Sequence, residues 1–173
     1  MTKSGANPPI SGTVRYRLHI LLGVGTLLPR KIPGVQASNG AFMHPHEELA
    51  RREIELIQAG DDEGISALYA SDFVLHYPGR SPLAGRYTDV GQFLDRLGEL
   101  FEGGTVQREL HDALGTDDHA VQLLRVTAEA KGRSHTWNAV IVMHVRDGQF
   151  TEAWFHFSDQ YALDEYLTSL AVH

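Results

Sequence analysis

The stretch from Gly60 to Arg86, GDDEGISALYASDFVLHYPGRSPLAGR, restricts the fold more than any other part of the chain. Gly60 suits the left-handed position that ends a helix, and Asp61 or Asp62 can cap the next one. Ile65, Leu68 and Tyr69 then fall on one helical face, which predicts a short second helix. Phe73, Leu75 and Tyr77 alternate with Val74 and His76, the period of a strand. Pro78 and Gly79 end that strand, and Pro82 and Gly85 mark a loop that turns over whatever the strand faces.

Helical periodicity surrounds this stretch. His46 to Ala59 places Ala50, Ile54 and Ile57 on one face. Thr88 or Asp89 caps a third helix whose Val90, Phe93, Leu94, Leu97, Leu100 and Phe101 form an apolar stripe, stopped by Gly103-Gly104. After that the pattern becomes mostly sheet. Thr105 to Leu114 alternates, with Val106, Leu110 and Leu114 as its apolar set. Two longer strands follow, His119 to Ala130 and Ser134 to Arg146, and Asp147-Gly148 signals a hairpin into Gln149 to Phe157. Asp159 opens a closing helix with Leu163, Tyr166, Leu167 and Leu170 at helical spacing. Helices gathered before long, hairpin-linked strands predict an α+β fold. A curved antiparallel sheet would wrap over three N-terminal helices as a cone with an apolar interior, followed by a C-terminal helix.

At 173 residues, with 42% hydrophobic and 21% charged content, the chain has the make-up of one ordinary globular domain. Residues 44–173 are assigned to that domain. Residues 1–43 hold five basic residues and no acid. Leu18 to Leu28 is apolar but too short to span a bilayer, and it loosely imitates a secretory signal. This segment reads as a leader that is either disordered or upstream of a true start at Met43, with a targeting segment as the remaining alternative. The other 130 residues carry 10 Lys and Arg against 22 Asp and Glu. So acidic a body is ill suited to phosphate backbones, and neither nucleic acid nor membrane is an expected partner. Cysteine is absent, which excludes disulfides and thiolate chemistry and fits a reducing, cytoplasmic setting.

Three segments in this order and spacing, GDDEGISALYASDFVLHYPG, PLAGRYTDVGQFLDRLGELF and HVRDGQFTEAWFHFSDQYALDEYL, resemble the SnoaL-like branch of the nuclear-transport-factor-2-like superfamily. Ketosteroid isomerases and polyketide cyclases belong to the same superfamily. The resemblance covers about residues 45–170. It implies a cone with an open pocket between sheet and helices, and a homodimer formed through the outer sheet face. It does not imply one activity, because the fold hosts isomerases, cyclases, hydrolases and plain binding modules. The isomerases' general base precedes the proline that ends the first strand, and here that position is Tyr77. Their oxyanion-binding acid falls at Ile141 or Val142, and their first-helix tyrosine at Glu53. The cyclases' aspartate follows the tryptophan of the last strand, but here Phe155 follows Trp154. Both mechanisms therefore lose a base worth about 10²–10⁴-fold in rate.

Strand parity puts Trp137, Ala139, Ile141 and Met143 on one face, and Ala153, Phe155 and Phe157 on one face of the last strand. The resemblance implies that both sets point inward. Together they predict an aromatic cavity for a small hydrophobic, carbonyl-containing ligand, or else a solidly filled core. Tyr77 would donate a hydrogen bond to the carbonyl, and Arg86 at the loop rim would anchor an anionic group or pair with a surface acid. Candidate proton-transfer groups are Tyr77, His76, Glu53 and Asp159. Each has a structural competitor. Parity turns His76 away from Tyr77, a helical glutamate such as Glu53 commonly faces solvent, and Asp159 is a natural N-cap. His135, His144 and His156 lie on neighbouring strands without paired ligand spacing, so no metal and no cofactor is expected. Two functions remain open: a cofactor-free isomerase, cyclase or hydrolase, and a non-catalytic ligand-binding or dimerisation module.

Overall fold

The computed structural model describes residues 43–172, and all of the leader assigned to residues 1–43 except Met43 lies outside that range. The first helix, α1 (Pro45–Ala59), is capped by His44 and ends at Gly60, whose φ of 68° is the left-handed conformation its sequence position calls for. Asp61 caps α2 (Asp62–Ala67) by accepting from the Gly64 amide. Strand β1 (Tyr69–Tyr77) follows, then a loop and the short β2 (Gly85–Tyr87). Asp89 caps α3 (Val90–Leu100). Four long strands complete the sheet: β3 (Thr105–Gly115), β4 (His119–Ala130), β5 (Arg133–Arg146) and β6 (Gln149–Phe157). Asp159 then caps α4 (Gln160–Ala171). The α+β architecture expected from the sequence is the one observed.

All six strands form one curved sheet in the order β2-β1-β6-β5-β4-β3. Neighbours run antiparallel except β1 and β6, which are parallel. A parallel pair needs a long crossover, and everything between β1 and β6 supplies it. Ala50 and Ile54 of α1, Phe93 of α3 and Leu163 and Leu167 of α4 are buried with Leu124, Ile141 and Phe150 of the sheet in one core.

Three local readings are corrected. Leu68 and Tyr69 are not helical: α2 stops at Ala67, and Tyr69 opens β1. The Pro/Gly-rich loop contains a strand, because Gly85 to Tyr87 folds back on β1 as a hairpin. Leu114 is not in the buried set but 53% exposed. A bulge between Leu110 and Asp112 inserts one residue into β3. That insertion reverses parity beyond it, so Ala113 turns inward instead.

The loop between β1 and β2 is fastened to α4. Asp164 accepts hydrogen bonds from the Arg80 amide at 2.9 Å and the Ser81 amide at 3.1 Å. Gly79 has a φ of +100°, and a Cβ there would strike the Asp164 carboxyl and the Gln160 amide. Glycine is therefore required for the close approach of loop to helix.

Candidate functional site

The sheet and helices do not meet everywhere. A cavity of about 530 Å³ lies between them, walled by Ile57, Ile65, Phe73, Phe93, Met143 and Phe155 among others. That volume falls within the roughly 300–1,000 Å³ typical of small-molecule sites. Next to it is a smaller hollow of about 40 Å³, lined by Tyr77, Trp137, Phe157 and further apolar side chains. Phe93, Leu97, Arg108, Ile141 and Phe155 line both, so the two spaces adjoin.

Glu53 is the central polar group of the larger cavity. It is only 4% exposed, although it stands on a helix with charged neighbours. The Tyr69 hydroxyl donates to its Oε1, and Gln122 Nε2 donates to its Oε2 at 2.6 Å. Gln122 also donates to the Ala50 carbonyl at 2.8 Å. The amide orientation follows from chemistry, since only its NH2 end can serve two acceptors. The clamp thus joins α1 to β1 and β4 and holds the carboxyl group at the cavity wall. Enclosure of its hydroxyl, followed by the charge of Glu53, pushes the Tyr69 phenol well above the ordinary tyrosine range, with Arg108 opposing. Burial likewise raises the Tyr77 phenol, again against Arg108.

The residues singled out from sequence separate into three groups. Glu53, Ile141, Met143 and Phe155 line the large cavity. Tyr77, Trp137 and Phe157 line the small one, with Tyr77 packed against Phe93, Phe155 and Phe157. His76, Arg86 and Asp159 line neither. Strand alternation carries His76 to the outer sheet face, where its Nε2 lies 2.6 Å from Glu152 and its ring stacks on Trp154. Arg86 is exposed on β2, and Asp159 accepts from the Ala162 amide as an N-cap. The three strand histidines do not converge. His135 packs on Trp137 and Tyr166, while His144 meets His119 and Trp154. Among the described residues, no three His, Asp or Glu side chains group as metal ligands.

Sequence reasoning missed Tyr69, Gln122 and Arg108. Each carried a signal. Gln122 sits between Ala120 and Leu124 in the buried row of β4, and Arg108 sits between Val106 and Leu110 in that of β3. A polar residue in an apolar row calls for a partner or a purpose.

A curved sheet with helices on its concave side and an apolar cavity between them defines a nuclear-transport-factor-2-like domain. The chain belongs to the SnoaL-like domain family, whose model matches residues 50–153. Among solved structures it is similar to Bal32a from a soil-derived mobile gene cassette, at 28% identity and a TM-score of 0.65, covering 71% of this chain and 96% of that one. An NTF2-like protein of unknown function from Burkholderia pseudomallei is 21% identical with a TM-score of 0.62, covering 73% of this chain and 99% of that one. TerC, co-crystallised with polyporic acid, is 20% identical with a TM-score of 0.61, covering 72% of this chain and 98% of that one. The last two likenesses concern the fold alone. A comparison with curated protein sequences finds no match. No helix among the described residues is long and apolar enough to cross a membrane.

Three raised phenols, Tyr69, Tyr77 and the less deeply buried Tyr166, bear on alkaline stability. Each loses a proton less readily in the folded protein than in the unfolded chain, so above the ordinary tyrosine value of 10.0 the folded state holds more protons. Stability is then fully present below that pH and falls as pH rises toward the folded values, by up to about 1.4 kcal/mol per pH unit for each of Tyr69 and Tyr77. Urea unfolding across this range should show that decline. Tyr69→Phe should make it shallower by about one phenol's share, and an unchanged slope would count against the enclosure of Tyr69.

Proposed function

We propose that the cavity binds a small hydrophobic molecule containing a carbonyl group, and that Glu53 moves a proton on it without a cofactor. The observation that carries this reading is a buried carboxyl group that lines an apolar cavity, oriented by Tyr69 and Gln122, with no ion pair to it among the described residues. Acid–base catalysis needs such placement before anything else. As base, Glu53 takes a proton from the carbon next to the carbonyl. The C–H electron pair shifts into a new C=C bond, and the carbonyl π pair moves onto oxygen, giving an enolate. Return of the proton at another carbon is an isomerisation, and attack of the enolate on a second carbonyl is a cyclisation. The surrounding phenyl rings keep water from the carbanionic centre.

Engagement of both Glu53 oxygens by neutral donors favours a second reading, a non-catalytic binding module in which the clamp is purely structural. Hydrogen–deuterium exchange at the carbons flanking the carbonyl of 2-tetralone, followed by NMR in heavy water, separates the two. The protein should accelerate exchange, and Glu53→Gln should remove about 10²-fold or more of the acceleration. Binding of 2-tetralone without accelerated exchange would leave the non-catalytic reading standing. Absence of both would remove the ligand assignment itself.

We further propose that two copies pair through the outer sheet face. Val121, Val142 and Trp154 form one cross-strand row there, and Leu123 and Val140 lie in the next. Val140 is 36% exposed and, with these neighbours, belongs to an apolar patch rather than standing singly. Sedimentation equilibrium should give a dimer, shifted toward monomer by Val140→Glu. A monomeric wild-type protein would contradict the pairing.

A further inference from the structure

The small hollow is apolar except for three side chains, Tyr77, Arg108 and Trp137. All three present hydrogen-bond donors, and two of the three have no acceptor function at all. Trp137 Nε1 is buried with no hydrogen-bond partner among the described residues. Trp137 as a whole is 8% exposed. Arg108 takes part in none of the ion pairs among the described residues. Among those residues the Tyr77 hydroxyl has no side-chain hydrogen bond either, although the charges of Arg108 and Asp164 reach it.

Unpaired donors in an apolar enclosure are costly, and a guanidinium more so than a neutral group. Native proteins leave few such groups, and those that persist call for an explanation. Trp137 Nε1 is such a group, and the half-buried Arg108 and the Tyr77 hydroxyl present donors to the same hollow, so one explanation serves all three, an acceptor that arrives from outside. Its size is bounded by the space. A water molecule needs about 10–15 Å³ on this measure. The 40 Å³ available therefore holds a group of about three heavy atoms. A carboxylate meets that bound, and so does the O–C–C–C–O edge of an ionised enol entering partway.

We infer that this hollow receives the delocalised oxyanion of the ligand, with Arg108, Tyr77 and Trp137 as its donors, while the ligand's apolar body occupies the adjoining 530 Å³ cavity. The inference rests on the ligand assignment proposed above and narrows it from carbonyl compounds in general to organic acids and acidic enols. Arg108 lines both spaces, so its planar guanidinium stands where head and body of such a ligand would join. Asp62, Asp89 and Glu53 line the larger cavity but not the hollow, whose one charged lining residue is Arg108, although the charge of Asp164 also reaches Tyr77. The lining of the hollow itself favours entry with the anionic end directed at Arg108. Tyr77 keeps its proton as a donor, since burial raises its phenol.

Calorimetry with matched probes tests the assignment. 2-Naphthoate carries the carboxylate, 2-acetonaphthone is its neutral ketone counterpart, and 2-phenyl-1,3-indandione supplies an ionised enol near neutral pH. At least one of the two anions should bind about tenfold or more tightly than the ketone, as expected for charge-assisted hydrogen bonds. Arg108→Gln should abolish that advantage, weakening the anion by about tenfold more than the ketone. Tyr77→Phe should weaken the anion by a smaller factor without lowering the melting temperature. Whichever anion shows the advantage identifies the source of the oxyanion. If the ketone binds and neither anion binds more tightly, or if Arg108→Gln weakens all probes alike, the oxyanion assignment is wrong and the carbonyl-binding proposal survives. If no probe binds, both fall together.

Discussion

A buried carboxyl group must be satisfied, and the way Glu53 is satisfied ties the domain together. Its two oxygens take hydrogen bonds from the first strand and from the second strand of the long meander, while its own backbone belongs to the first helix. Gln122 adds a bond to the helix backbone one turn earlier. Breaking one partner in such an enclosure leaves the other polar groups without compensation, which costs more than a surface contact of the same kind. The clamp thereby fixes the helix to β1 and β4 at the edge of the cavity.

Much of this was legible in the chain. The caps at Asp61, Asp89 and Asp159 and the left-handed Gly60 all follow from local chemistry that does not depend on the rest of the fold. Parity along β5 and β6 was readable because those strands run without interruption across the inner positions, from Trp137 to Met143 and from Ala153 to Phe157. Where parity failed, at Leu114, the cause was one inserted residue, and a bulge in β3 leaves no signature in an alternating pattern.

The candidate site was less legible for a related reason. Tyr69 continued the apolar period of Ile65 and Leu68, so helical reasoning absorbed it and hid its position at the start of β1. Without Tyr69 and Gln122, Glu53 had no visible partner and looked like one more solvated glutamate. Arg108 was read as one of the charged neighbours of an apolar set, although it occupies the same parity as Val106 and Leu110. Loop position made Arg86 the more obvious cation, yet it ended on an exposed hairpin. Charges in inner rows belong to tertiary structure, and only the assembled sheet reveals what they face.

This member of the SnoaL-like family has the hollow cone, and Glu53 and Arg108 both line its larger cavity among aromatic rings. The whole reading depends on a small apolar molecule entering that space. Met143 lines the larger cavity and is 2% exposed, whereas Met43 is 48% exposed at the start of the domain. Methionine-methyl NMR during titration with 2-tetralone is the most direct measurement. A saturable shift of the Met143 methyl with the Met43 methyl unmoved is the predicted result. Saturable binding that leaves Met143 unperturbed would contradict the account, because the ligand would then sit somewhere other than the cavity.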